Sequence, residues 1–131
     1  MTLENWTNQY NKILNCRNYL QSNRFTAEMA LADGTFGVLA DNLIDKSGLE
    51  VVRQVLSQTI NYHKDDLRLT QKAVEWAAGV DAFSHYDNNS SFFSEFITDM
   101  RPGILNELAN KVIEHEKQMQ PQITKPKSRS L

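Results

Sequence analysis

Long apolar runs are missing from this chain, and so are paired cysteines and any excess of one charge. Each absence removes a class of protein. A single cysteine, Cys16, excludes an intrachain disulfide and fits a reducing compartment. No stretch approaches the roughly 18 apolar residues that a membrane-spanning helix needs. The first six residues, Met1 to Trp6, carry neither a basic segment nor an apolar run, so no signal peptide is expected and the expected location is the cytoplasm. Fourteen basic residues stand among sixteen acidic ones, for a formal net charge of −2. Nucleic-acid-binding domains draw most of their affinity from phosphate neutralisation and usually show a basic patch. Here positive charge gathers only near the end, at Lys125, Lys127 and Arg129. Strand patterns are absent too: nowhere do β-branched residues alternate with polar ones between turn signals. No internal repeat is visible.

What is present is helical periodicity over a length, 131 residues, that suits one domain with one core. Leu3, Trp6, Tyr10, Ile13, Leu14 and Leu20 step by threes and fours, which predicts a first helix over about Leu3 to Ser22. Asn23-Arg24 breaks the pattern, and Thr26 is the expected cap of a second helix. Between Ala27 and Asp45 the glycines at 34 and 37 favour two short helices over one kinked helix. Ser47-Gly48-Leu49-Glu50 has the form of a capping box, which predicts a helix carrying Leu49, Val52, Val55, Leu56 and Ile60 as far as Tyr62. After a turn at 63–66, Leu67, Leu69, Ala73, Val74, Ala77, Val80 and Phe83 predict a helix from about Asp66 to Phe83, with Trp76 turned toward a second interface. His85 to Ser91 reads as a loop. Ser90 or Ser91 is the expected cap of a short helix bearing Phe92, Phe93, Phe96, Ile97 and Met100, broken near Arg101 by Pro102. Pro102 suits the first turn of a last helix, on which Leu105, Leu108, Val112 and Met119 form one stripe. Glu107 and Lys111 have the spacing of an exposed ion pair. The expected architecture is all-α: an irregular bundle of five to seven helices over residues 1–119, then a flexible basic tail over 120–131.

The residue types that carry chemistry are poorly arranged for it. His63, His85 and His115 have no second histidine or cysteine three or four residues away, so no metal site is expected. Cys16 falls mid-helix near the apolar face, where a thiol is buried and inert. Asp33-Gly34-Thr35-Phe36-Gly37 lacks the Lys-Ser/Thr of a phosphate loop. Asp65-Asp66 and Glu114/Glu116 are explained as a turn cap and a solvated helix face. No catalytic residue and no cofactor is expected, and the chain does not read as an enzyme.

The most suggestive feature is aromatic. Trp76, Phe83, Tyr86, Phe92, Phe93 and Phe96 fall close together, and adjacent Phe92 and Phe93 cannot share one helix face. Either both rings enter core surfaces, or one is exposed and anchors a partner, as aromatic residues do at interface hot spots. The leading expectation is a non-catalytic protein–protein interaction module: an adaptor, small chaperone, inhibitor or secretion-system accessory. Its partner-binding residues would be Tyr86, Phe92, Phe93 and Phe96, or the apolar edge of the last helix, which could also form a homodimer. On that reading Phe93→Ala would weaken partner capture at nearly unchanged melting temperature. The alternative is a nucleic-acid-associated regulator that uses the basic tail.

Overall fold

The computed structural model describes residues 2–87 and 92–118. Among these, the elements are α1 (Leu3–Ser22), α2 (Arg24–Asp33), α3 (Phe36–Ser47), α4 (Leu49–Tyr62), α5 (Gln71–Ala78), a single 3-10 turn (Ser94–Phe96) and α6 (Pro102–Gln118), with no strand. The all-α bundle expected from periodicity is therefore the observed fold, with six α-helices.

The helix starts obey capping chemistry. Thr2 Oγ1 accepts the amide proton of Asn5 at 3.1 Å and opens α1. Thr70 Oγ1 does the same for Ala73 at the start of α5. Gly34, at φ +83°, closes α2 in the left-handed conformation that glycine adopts most easily. That turn makes α2 and α3 two helices rather than one kinked one.

α4 is the central strut. It packs against α1, α3, α5, α6 and the 3-10 turn. Its apolar stripe of Val52, Val55, Leu56 and Ile60 is fully buried, joined by Ile13 and Leu20 of α1, Leu43 and Ile44 of α3, and Leu105, Leu108 and Val112 of α6. Burying one such side chain contributes about 1.5–3 kcal/mol, so this stripe dominates the core.

Several local expectations are corrected. Thr26 lies inside α2, whose N-cap is Asn23. Ser47 is the last residue of α3 and makes no cap bond: Gly48, at φ +94°, occupies the junction, and Glu50 reaches sideways to Arg53 Nη1 at 2.9 Å. The helix expected from Asp66 to Phe83 shrinks to Gln71–Ala78. Before it, Asp66 Oδ1 accepts from the Arg68 amide at 3.0 Å, and Asn106 of α6 holds both the Arg68 carbonyl (3.0 Å) and the Thr70 amide (2.8 Å). That side-chain turn competes with helix and drives Leu67 out to 98% exposure while Leu69 stays buried. The helix expected over 92–100 is reduced to one 3-10 turn, and Lys111 pairs with Asp41 (3.2 Å) and Glu114 (3.5 Å) rather than Glu107.

The described segments 81–87 and 92–99 have little regular structure of their own, so their backbone groups must find other partners. α4 supplies many of them. Gln54 accepts from the Phe83 amide (2.9 Å) and donates to the Asp81 carbonyl (2.6 Å). Gln58 accepts from the Phe93 amide at 3.3 Å, and Thr59 Oγ1 accepts from the Thr98 amide at 3.1 Å. α1 holds the other side: Trp6 Nε1 donates to the Ser84 carbonyl (2.7 Å), Arg17 Nε to the Ile97 carbonyl (2.9 Å), and Gln21 accepts from the Asp99 amide (2.7 Å).

Candidate functional site

The aromatic residues between Phe83 and Phe96 divide between two environments. Phe93 (5% exposed) and Phe96 (fully buried) stack on each other at 4.9 Å between ring centres. Tyr10 of α1 closes over both, at 5.6 and 5.3 Å, and Trp6 joins Tyr10 to Phe83. Tyr10 and Glu95 share a short hydrogen bond, which lowers the Glu95 carboxyl and raises the Tyr10 hydroxyl from their ordinary pKa values. Phe93 and Phe96 are thus core residues, and the expectation that they anchor a partner is corrected on burial grounds. Tyr86 and Phe92 are exposed. Tyr86 meets Trp6 edge-on, while Phe92 stacks on exposed Tyr62 at 5.6 Å, with His63 edge-on behind Tyr62. The aromatic spacing on α1, Trp6 then Tyr10, is the signal that could have placed the second wall of this cluster.

The stripe on α6 is corrected in the same way. Leu105, Leu108 and Val112 face the core, so that edge is not available to a partner. Met119 and the basic tail, residues 120–131, lie outside the described residues.

α2 shows the reverse arrangement. A surface helix normally turns its large apolar side chains inward. Here the inward positions are Ala27 and Ala30, while Phe25 (63% exposed) and Met29 (70%) point outward, with Leu31 also exposed. Phe25 and Met29 are four apart and so share one face. The Arg24 guanidinium lies 4.5 Å from the Phe25 ring centre, and Arg24 Nη1 donates to the Gln21 carbonyl at 2.7 Å.

A groove of about 480 Å³ runs along another side of α2, where Glu28, Leu31 and Ala32 share its lining with Arg68, Arg101 and the first turn of α6, Pro102 to Ile104. Arg101 Nε spans to Glu28 Oε1 at 3.3 Å. A second cleft of about 350 Å³ shares Arg68, Arg101 and Pro102 with the first and is also lined by His63, Asp66 and Met100. Arg68 pairs with Asp66 at 2.8 Å and holds that carboxyl down at a pKa of about 2. Leu67 stands between Asp66 and Arg68, fully in solvent.

The remaining polar groupings are tied up internally. Trp76 Nε1 donates to Glu116, whose carboxylate also takes Arg53 Nε at 2.6 Å, so Trp76 faces α6 as a second interface. Asp41 accepts from His115 Nε2 at 2.9 Å and from Lys111 at 3.2 Å, and these bonds lower its pKa, that to His115 most. Cys16 is buried, and desolvation pushes its thiol up to about 11 against a smaller opposing bond from Ser47. A thiol at that value carries almost no thiolate near neutrality. Among the described residues no three His, Cys, Asp or Glu side chains group closely enough to hold a metal ion. Among them, too, no helix is long and apolar enough to cross a membrane.

These features describe an all-helical protein that exposes large apolar side chains at several places, two of them, Phe25 and Met29, on one face of α2. Residues 1–118 match the model of the family described as protein of unknown function (DUF3849), and the chain belongs to that family. No curated protein and no solved structure matches it.

Proposed function

We propose that this protein is a non-catalytic protein–protein interaction module that docks its partner on the outer face of α2 and the groove beside it. One observation carries the reading: α2 buries alanines and exposes phenylalanine and methionine. Exposed apolar side chains occur singly on any protein surface. Two large ones sharing a single helix face, on a helix whose Leu31 and Ala32 line a neighbouring groove, form a patch of the kind that marks interaction sites. Aromatic residues and methionine are enriched in interface cores, and a guanidinium lying across a ring is a common companion. Phe92 and Tyr62, stacked and exposed, extend the set of rings available on the surface.

The test separates docking from folding. Phe25→Ser with Met29→Ser changes helix propensity little, so the melting temperature is expected to stay within a few degrees, while capture of a polypeptide partner from the source cell falls about tenfold or more. Leu3→Ser, at an exposed apolar position on α1, serves as control and leaves capture unchanged. Equal capture by the double variant would remove the α2 face from the proposal.

A further inference from the structure

We propose that the occupant of the α2 face is a second copy of this chain, packed antiparallel across a two-fold axis; this rests on the docking reading above and names its partner. A two-fold interface requires a patch that complements itself, because each residue i that meets j is matched by a j that meets i. The apolar pair on α2 has that property, with a charged pair beside it. Phe25 and Met29 lie four apart on the outward stripe, so an antiparallel crossing sets Phe25 of one copy against Met29 of the other, and the reverse. Arg24 and Glu28, of opposite charge and also four apart, lie on one flank of that stripe. In that register each Arg24 lies two residues, about 3 Å along the helix axis, from the Glu28 of the second copy, an offset that the long arginine side chain spans.

Both charges are able to respond. The Arg24 bond to Gln21 uses one of five guanidinium donors, and Glu28 meets Arg101 through one oxygen at 3.3 Å. The area sets the strength. Phe25 and Met29 together offer on the order of 250 Å² of apolar surface, against roughly 800 Å² per partner in a standard interface. Such a patch makes the apolar centre of a modest interface whose rim comes from Arg24, Glu28 and the groove wall. An interface of that size implies association at micromolar concentrations.

Sedimentation of the purified full chain from about 1 to 500 μM tests this. The mass should rise with concentration from 15.0 kDa toward twice that value, and Phe25→Glu should weaken the association at least tenfold. The register has its own signature. Arg24→Glu alone and Glu28→Arg alone each place like charges opposite one another and weaken self-association. Mixing these two variants restores opposite charges at both contacts, and the mixture associates more tightly than either alone.

A chain that stays at one mass throughout, an association indifferent to Phe25→Glu, or a mixture no tighter than its components would overturn the proposal. To separate this failure from failure of the docking reading, Met29 is replaced by a photo-cross-linking residue in the source cell. Adducts to a different polypeptide overturn the second copy and leave α2 as a docking face, no adduct overturns both, and adducts of twice the chain mass support both.

Discussion

The thiol of Cys16 lies among the core residues beside Ser47, and its pKa of about 11 has a consequence for both reactivity and pH. In the folded chain the thiol should react with a disulfide reagent at pH 8 only as fast as the protein opens, and denaturant should release a full equivalent at once. An unfolded cysteine titrates near 8.5. Between that value and about 11 the folded chain holds a proton that the unfolded chain has lost, so stability falls as pH rises through this window. Asp66 gives the opposite sign. Its carboxyl, held at about 2 by Arg68, stays ionised while an unfolded aspartate protonates near 3.9, so its contribution is present above pH 4 and is lost as pH falls toward 2. In Arg68→Ala the Asp66 midpoint, followed by NMR, should return to the ordinary range. At this scale the sequence was partly legible. The position of Cys16 on an apolar stripe announced burial, whereas the Asp66–Arg68 turn, three residues long, imitates the start of a helix until Asn106 is seen to grip its carbonyl.

Sustained periodicity makes an element legible from its residues alone. α1, α4 and the last helix show stripes of three or more turns, and their observed spans fall within a residue or two of the expected ones. Below that length the signal fails for a physical reason. Phe83, Phe93 and Phe96 reach the core or its edge from short segments of irregular or 3-10 backbone while Tyr86 and Phe92 stay exposed, so spacing records no period. What fixes that stretch is the polar side of α4, where Gln54, Gln58 and Thr59 present side-chain partners to passing amides. The Nε2 of Gln58 is buried and finds no hydrogen-bond partner among the described residues, which makes Thr59 the better fastening to test. Thr59→Val keeps the shape but leaves the buried Thr98 amide without its acceptor and should cost about 1–3 kcal/mol in urea unfolding. Gly34→Ala forces a Cβ into a left-handed backbone with open space around it, and about 1–2 kcal/mol should be lost to strain alone.

On the scale of the whole molecule, composition and pattern established an all-helical bundle, and the aromatic cluster suggested where a partner would sit. The outer face of α2, proposed above as the docking surface, was not legible. A sequence marks which residues are large and apolar, but α2 is too short, and apolar on too many sides, for spacing to tell its inner face from its outer one. Only packing reveals that alanines occupy the inside. Phe93 and Phe25 therefore give contrasting variants. Phe93→Ala should lower stability by roughly 3–5 kcal/mol, with a melting temperature about 10–20 °C lower. Phe25→Ser should stay within about 0.5 kcal/mol of the parent. The described segments 81–87 and 92–99 bear on motion. They are held by separate side chains from α1 and α4 rather than by a continuous backbone ladder. Amides along that seam should exchange with solvent hydrogen well before those of Val55 and Ile60, so the bundle breathes along one border while its central strut stays shut.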